Sequence, residues 1–241
     1  MSAVPAHRGR VLLAAALARA GAWLVEPIEE TAARPVELRA HPVIAVIGLA
    51  PDCGTTTLAR ALGVELGGRD AVAAAAVAGS DRPSRVPLAA ASAGRLARAL
   101  GVVDGSAPRT AGRLCLVSPT DHVALVAAVR HLAPLVLDVG HGGAPGVAAS
   151  LSDHVVLVAP ASAEPALAAV VAASIARVGP DPLLVVNRTF EPAAWKDRGA
   201  LLVGETRAGA KLALAGRDPR GSLGEAVAEL ADTCERPRSS W

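Results

Sequence analysis

The strongest constraint on the fold is a regular alternation of apolar runs with segments of helical periodicity, which begins at His41. Unbroken apolar runs of this length are typical of strands that are buried on both faces. We predict strands at residues 43–47, 71–78, 114–117, 135–137, 155–159, 183–186 and 201–203. We predict helices at residues 56–66, 92–100, 121–132, 163–178, 207–215 and 222–233. This order predicts an α/β fold of three α/β/α layers, with a mostly parallel sheet of about seven strands.

The other segments are predicted to lie at the surface or outside this domain. Residues 81–87 and 101–112 are rich in Pro, Gly, Ser and Arg, which is typical of mobile surface loops. We expect residues 1–40 to form an N-terminal helical extension, residues 41–233 to form the α/β domain, and residues 234–241 to form a disordered tail.

The apolar part of the extension, VLLAAALARAGAWLV at residues 11–25, has two interpretations. It is too short to span a bilayer, and we predict an amphipathic helix that packs on the domain. The alternative is a signal peptide, because Arg8 and Arg10 precede the apolar stretch.

The charge and the cysteine usage argue against several classes of protein. The net charge is only +2 and no run of basic residues occurs, so neither nucleic acid nor an anionic membrane is indicated as a partner. Cys53, Cys115 and Cys234 form no CxxC pair, and the six histidines are dispersed. We therefore expect no disulfide framework and no structural metal, and we predict a cytoplasmic protein.

The most informative stretch is VIAVIGLAPDCGTTTLARALG, residues 43–63. A predicted strand leads into a loop of Gly, Pro and Asp, followed by three threonines and a predicted helix. Backbone N–H groups and a helix dipole that converge in this way suit an anion. Gly54 would allow the close approach of the backbone, and a threonine hydroxyl could reach a magnesium ion. The alternative is an ordinary strand-to-helix turn capped by threonine.

This stretch resembles the deviant Walker A loop of the ParA/MinD family, which belongs to the SIMIBI class of P-loop NTPases. The family pattern K-G-G-x-G-K-[ST]-[ST] falls on APDCGTTT, residues 50–57. Gly54, Thr56 and Thr57 match the pattern. Ala50 and Thr55 stand at the two lysine positions, and the only lysines of the chain, at positions 196 and 211, lie far away in sequence.

Further motifs of that family follow in the same order over residues 41–233. LVLDVGHG at residues 135–142 is similar to its Walker B strand and second switch, and LLVVNR at residues 183–188 is similar to the strand whose Asn meets adenine. The resemblance implies a P-loop NTPase-like domain with possible binding of ATP and Mg²⁺. The nucleotide-binding residues that it implies are Gly48, Gly54, Thr55, Thr56, Thr57, Asp138, Gly142 and Asn187. Thr56 and Asp138 would hold magnesium, if nucleotide binds.

The departures from the family weaken the expected phosphate site. Removal of one member of a buried charge pair costs about 2–5 kcal/mol, whereas a helix N-terminus returns only about 0.3–2 kcal/mol. Asp52 adds a carboxylate to the loop, and Pro51 removes one backbone N–H. In the first switch, Gly79 replaces one aspartate of the family pair and Asp81 stands near the other. ATP and Mg²⁺ are therefore expected to bind weakly or not at all.

Other residues of the site have more than one interpretation. Gly204 and Glu205 stand where the family carries a proline beside adenine. His141, in a glycine-rich loop, is expected to be exposed without a catalytic role. The guanidinium groups of Arg82, Arg85 and Arg188 are candidates to replace the lost lysine, and the sequence does not choose among them.

Two functions remain open, with a third less supported. The first is a pseudo-ATPase of bacterial origin, or a weak nucleotide switch, that acts as a scaffold through a protein partner or a homodimer. The second is an active, ATP-dependent dimerising ATPase with a non-standard phosphate-binding residue. The third is a transferase or amidoligase that shares the fold, which is disfavoured because such relatives normally keep the loop lysine. The catalytic residues are unknown.

Overall fold

The computed structural model of the protein describes residues 40–70, 72–79, 86–104, 108–118, 121–189, 193–195 and 198–235. The expected extension, apart from Ala40, and residues 236–241 of the expected tail lie outside these ranges. The strands are β1 Val43–Gly48, β2 Ala75–Gly79, β3 Arg109–Ala111, β4 Leu114–Val117, β5 Leu135–Gly140, β6 His154–Pro160, β7 Leu183–Asn187 and β8 Leu201–Val203. The helices are α1 Thr55–Arg69, α2 Gly94–Asp104, α3 His122–Val129, α4 Pro145–Leu151, α5 Pro165–Ala176, α6 Arg207–Leu214 and α7 Ser222–Glu235.

The eight strands form one sheet in the order β3-β4-β2-β5-β1-β6-β7-β8. Only the pairing of β3 with β4 is antiparallel among the described strands. Strand β1 lies between β5 and β6, so the chain crosses from one side of β1 to the other between these two strands. Ligands of open α/β sheets bind at such a crossover, beyond the carboxyl ends of the strands.

Helices cover both faces of the sheet because the strand side chains alternate in direction. Ile44 and Val46 of β1 face a core formed with α1, α6 and α7. Val43 and Ala45 of the same strand face a second core formed with α2, α3, α4 and α5. The predicted three-layer α/β/α architecture with a mostly parallel sheet is therefore confirmed.

The structure differs from the sequence analysis in several local features. The sheet has an eighth strand, because Arg109–Ala111 of the expected loop 101–112 pairs with the edge strand β4. The same expected loop also contains the end of α2, which extends to Asp104. Helix α4 was not predicted, since its first residues, Pro145 and Gly146, are typical of loops. Cys234, placed in the expected tail, is buried in α7.

No helix within the described ranges is long and apolar enough to cross a membrane.

Candidate functional site

The loop of residues 48–57 connects the central strand β1 directly to the N-terminus of α1. At the start of the loop, the N–H of Leu49 donates a hydrogen bond of 2.8 Å to the main-chain oxygen of Val158 on β6. The loop then turns through Asp52 and Gly54, whose φ angles of 52° and 95° are left-handed. Gly54 occupies the N-cap position, and no side chain caps α1. The first N–H groups of this helix are therefore without a side-chain acceptor, which is the arrangement that favours an anion.

Gly48 holds the loop close to the neighbouring strand β5. A Cβ atom added at Gly48 would lie 2.9 Å from the Sγ of Cys53, 3.0 Å from the Cγ2 of Thr55 and 3.2 Å from the main-chain oxygen of Gly140. Any side chain at this position would therefore push the loop away from β5. Gly48 was predicted to bind nucleotide, and the structure gives it a steric reason to be glycine that is independent of a ligand.

Asp138 lies near the carboxyl end of β5, close to Thr55 and Thr56 in the first turn of α1. It pairs with Val46 on β1 and with Gly79 on β2. The next residue of β1, Ile47, pairs with Gly140, so Val139 is an extra residue that forms a bulge directly after Asp138. The aspartate is 6% exposed, and its Oδ1 atom is enclosed without a hydrogen-bond partner. A buried carboxylate oxygen without a partner is a candidate position for a bound cation or water.

The charge on Asp138 is set by burial and by its neighbours. Burial raises the pKa of the Asp138 carboxyl above its ordinary value. The Thr56 hydroxyl and the Arg60 guanidinium oppose this rise, and the Thr55 hydroxyl and the N–H of Gly140 lower the pKa further by smaller amounts. The structure thus brings Thr55 and Thr56 close to Asp138.

Gly79, which replaces an aspartate of the family pattern, has a steric reason to be glycine. A Cβ atom at Gly79 would lie 2.3 Å from the main-chain oxygen of Asp138 and 2.5 Å from its Cβ. An aspartate at position 79, as in the first switch of the family, therefore does not fit beside Asp138 in this backbone. Asp81, the other candidate in this switch, lies outside the described residues, as do Arg82 and Arg85.

Arg60 is a residue of this site that the sequence analysis missed. It lies one helical turn after Thr56 on α1, is only 5% exposed, and donates from Nη1 to the main-chain oxygen of Leu214 at 3.0 Å. Burial lowers the pKa of Arg60, the charge of Asp138 opposes this, and Arg109 adds a repulsion. The spacing of four residues places Arg60 on the same face of the helix as Thr56, which could have indicated its position. It was not recognised because the chain contains many arginines.

Asn187, the predicted adenine contact, is tied to the loop instead of being free. Its Nδ2 donates to the main-chain oxygen of Cys53 at 2.8 Å, and its Oδ1 accepts from the N–H of Arg188 at 3.0 Å. A Cβ atom at Gly54 would lie 2.2 Å from this Nδ2. Gly54 therefore allows the amide of Asn187 to fasten the loop to the end of β7.

Two cavities flank the loop, and they divide the predicted residues between them. The first, of about 300 Å³, lies between the loop and the ends of β7 and β8. Its walls include Gly54, Thr57, Asn187, Arg188, Glu205 and Arg207. The second, of about 330 Å³, is largely apolar and lies between the loop, the glycine-rich turn after β5, and α5. Its walls include Gly48, His141, Gly142, Val171 and Val178. Gly142 and Asn187 therefore line different cavities.

Among the described residues, no three His, Cys, Asp or Glu side chains are grouped as they would be in a metal cluster. His141 is exposed in the turn after β5, as expected.

Comparison with solved structures identifies the fold, whereas comparison of the sequence finds no match. No family model and no curated protein matches the sequence. The MinD cell division protein of Aquifex aeolicus superposes with a TM-score of 0.55 at 16% identity, over 80% of this chain and 95% of that one. The septum site-determining protein MinD of Pyrococcus horikoshii OT3, solved with Mg-ADP, superposes with a TM-score of 0.54 at 15% identity, over 81% of this chain and 96% of that one. The chain therefore has a MinD-like α/β fold.

Proposed function

We propose that this protein is a pseudo-ATPase: a ParA/MinD-like domain with a weakened nucleotide site that acts as a scaffold or weak switch through protein partners. The observation that carries the proposal is the charge of the loop. Among the described residues, positions 48–57 contain no basic side chain, and Asp52 places an exposed carboxylate there. A triphosphate brought to the N-terminus of α1 would meet backbone dipoles but no basic side chain of the loop itself.

The buried cation of α1 is already engaged. The guanidinium of Arg60 is buried, donates to the oxygen of Leu214, and lies in the field of Asp138. To reach a phosphate it would have to leave the partly buried main-chain oxygen of Leu214 without this donor, which costs about 1–3 kcal/mol. Arg60 therefore balances Asp138 within the protein and is a poor substitute for the loop lysine.

The donor set fits one part of a magnesium nucleotide better than the other. The enclosed Oδ1 of Asp138 beside the Thr56 hydroxyl is suited to a hydrated divalent cation, which prefers oxygen ligands. The phosphate side fits poorly because the loop offers no positive side chain. In this proposal the base of a weakly bound nucleotide would lie in the cavity of about 300 Å³ beside the loop. This volume is at the lower end of the range for ligand pockets.

The competing function is an active dimerising ATPase whose cation comes from outside the loop. The observation in its favour is that Arg188 and Arg207 line the cavity beside Gly54 and Thr57. The side chain of Arg207 is 90% exposed and lies near Glu205, so Arg188 is the stronger candidate of the two. This function predicts that Arg188→Ala abolishes both turnover and nucleotide binding.

The test is a calorimetric titration of the purified chain with ATP and Mg²⁺, together with a phosphate-release assay. We expect weak or undetectable binding and the same phosphate release for the unmodified chain and for Asp138→Ala, the matched control for a contaminating ATPase. Micromolar binding with turnover that Asp138→Ala removes would establish the competing function. Pull-down of a partner that binds equally with and without ATP would support the scaffold role.

A further inference from the structure

A third cavity, of about 410 Å³, lies at the end of the sheet opposite to the loop of residues 48–57. Its wall includes Arg113, which directly precedes the parallel strand β4, and Gly216, which follows the last turn of α6. The cavity therefore lies beside the amino ends of the strands. The loop of residues 48–57 follows the carboxyl end of β1, so the two places are distinct.

The wall of this third cavity carries an excess of positive charge. Arg113, Arg217 and Arg220 line it, and Asp218 is the only acidic residue among its described lining residues. The cavity of about 300 Å³ beside the loop is lined by two arginines and one glutamate. The apolar cavity of about 330 Å³ has no Asp, Glu, Lys or Arg among its described lining residues. The third cavity is therefore the most positive of these three.

Most of this positive charge is not neutralised by the described residues. Arg113 donates to Asp218 at 2.5 Å, but the two side chains are 40% and 70% exposed, and ion pairs in such contact with solvent are weak. Arg217 and Arg220 are exposed, and neither forms an ion pair with another described residue. An anion in the cavity would therefore be attracted by cations that repel one another in its absence.

Two glycines in contact fix the backbone that carries two of these arginines. Gly112 precedes Arg113 and Gly216 precedes Arg217, and both glycines have left-handed φ angles, of 52° and 72°. A Cβ atom at Gly112 would overlap the main-chain oxygen of Gly216, and one at Gly216 would overlap that of Ala111. The N–H of Arg113 also donates to the oxygen of Gly216, at 3.3 Å. The two arginines are thus brought to one cavity before any ligand binds, which reduces the cost of binding.

We propose that the third cavity binds a small polyanion, a molecule that carries phosphoryl groups or several carboxyl groups. The planar guanidinium group of arginine matches both kinds of anion with paired N–H donors. The volume of about 410 Å³ is within the range of small-molecule pockets, which favours a small ligand over a nucleic-acid duplex. The site is separate from the loop of residues 48–57, so the proposal goes beyond the proposed function and does not depend on it.

Calorimetric titration of the unmodified chain with pyrophosphate, and separately with citrate, tests the proposal without nucleotide or Mg²⁺. Pyrophosphate represents phosphoryl ligands and citrate represents carboxylate ligands, so the tighter of the two identifies the class. We expect saturable binding that weakens as salt is added, because the arginines are exposed to screening. Arg217→Glu combined with Arg220→Glu should weaken it at least about tenfold, since two attractive charges become repulsive. Arg113→Gln, a milder change, should weaken it at least about threefold.

The matched control is Arg177→Glu combined with Arg198→Glu, which makes the same change of net charge at exposed positions that do not line the cavity. It should change the affinity by less than about twofold, because distant exposed charges are screened. Circular dichroism and urea unfolding show whether each variant folds. Three results would overturn the proposal: no saturable binding of either anion to the unmodified chain, equal weakening by the two double variants, or preference for a DNA duplex over pyrophosphate at equal phosphate concentration.

Discussion

The side-chain amide of Asn187 donates a 2.8 Å hydrogen bond to the main-chain oxygen of Cys53 and so connects the end of β7 to the loop after β1. The two residues are 134 positions apart in the sequence. The sequence analysis predicted that Asn187 contacts the adenine base of a nucleotide. The structure gives it a positioning contact that operates without any ligand.

Replacement of Asn187 by alanine should therefore destabilise the loop and the fold together. The variant leaves the oxygen of Cys53 without its donor, and loss of a partner by a buried polar group costs about 1–3 kcal/mol. Urea unfolding followed by circular dichroism measures this change. Ser150→Ala is the control, because its hydroxyl only donates to the oxygen of Val147 within its own exposed helix turn, and we expect a change below about 0.5 kcal/mol. Equal effects of the two variants would contradict the structural role.

Alanine substitutions at two glycines should distinguish the cost of a left-handed backbone from the cost of a steric clash. Gly54 and Gly142 both have left-handed φ angles, of 95° and 85°. A Cβ atom at Gly142 would meet nothing within 4 Å, whereas one at Gly54 would lie 2.2 Å from the amide of Asn187. Gly142→Ala should cost about 1–2 kcal/mol for the left-handed conformation alone. Gly54→Ala should cost at least about 1 kcal/mol more, because Asn187 must move and its hydrogen bond is lost.

The free energies of unfolding of the two glycine variants in urea provide the measurement. The double variant Gly54→Ala with Asn187→Ala should recover part of the extra loss, because the clash disappears with the amide. A Gly54→Ala variant no less stable than Gly142→Ala would show that the loop does not approach Asn187 as described.

Stability should depend on pH through Asp138. Since burial raises its folded pKa above the ordinary value, proton binding to Asp138 stabilises the fold at low pH. That stabilisation is lost as the pH rises through the raised pKa. Asp138→Asn removes this loss, so the variant should gain stability over the unmodified chain as the pH rises from about 4 towards neutrality. Urea unfolding of both proteins across this range tests the sign, and a gain that shrinks with rising pH would refute it.

Arg60 should be coupled to Asp138. Arg60→Met keeps the length of the side chain but removes the donor to Leu214 and the charge that favours the Asp138 carboxylate. We expect a loss of about 1–3 kcal/mol at neutral pH, because the main-chain oxygen of Leu214 loses its donor. In Arg60→Met combined with Asp138→Asn the loss should be smaller than the sum of the single effects by at least about 0.5 kcal/mol. Strict additivity in the double-mutant cycle would show that the two groups act independently.

The fold was predictable from sequence because its strands are buried on both faces and therefore read as unbroken apolar runs. The edge strand Arg109–Ala111 was missed for the opposite reason, since only Ala111 is buried. Helix α4 was missed because Ala144, at its N-cap, offers no capping side chain and Pro145 follows.

The site was predictable only as far as its motifs reach. The run LVLDVGHG placed Asp138 at the end of a strand, and three threonines placed the helix start beside it. The contact of Gly79 with Asp138 and the bond from Asn187 to Cys53 depend on how distant strands are paired. Neither relation leaves a local pattern in the sequence. The burial of Arg60 was hidden by the abundance of exposed arginines.

Restoring positive charge to the loop is the most direct check on the proposed loss of function. Thr55→Lys places a cation at the family's phosphate-gripping position, and Asp52→Gly removes the opposing carboxylate. Glycine also suits the left-handed φ angle of 52° at position 52. By calorimetry with ATP and Mg²⁺, the double variant should bind at least about tenfold more tightly than the unmodified chain, a gain of about 1.4 kcal/mol.

A matched variant, Thr55→Met with Asp52→Gly, keeps a long side chain at position 55 but lacks the charge, so most of the gain should be absent. Thr55 is buried, so a long side chain at this position must find space beside Gly48. Thermal unfolding of both variants is therefore measured first, to check that each one folds. If the lysine variant folds and binds ATP no better than the methionine variant, the N-terminus of α1 is not a phosphate site. The loop between β1 and α1 would then be a structural turn alone, held in place by Asn187.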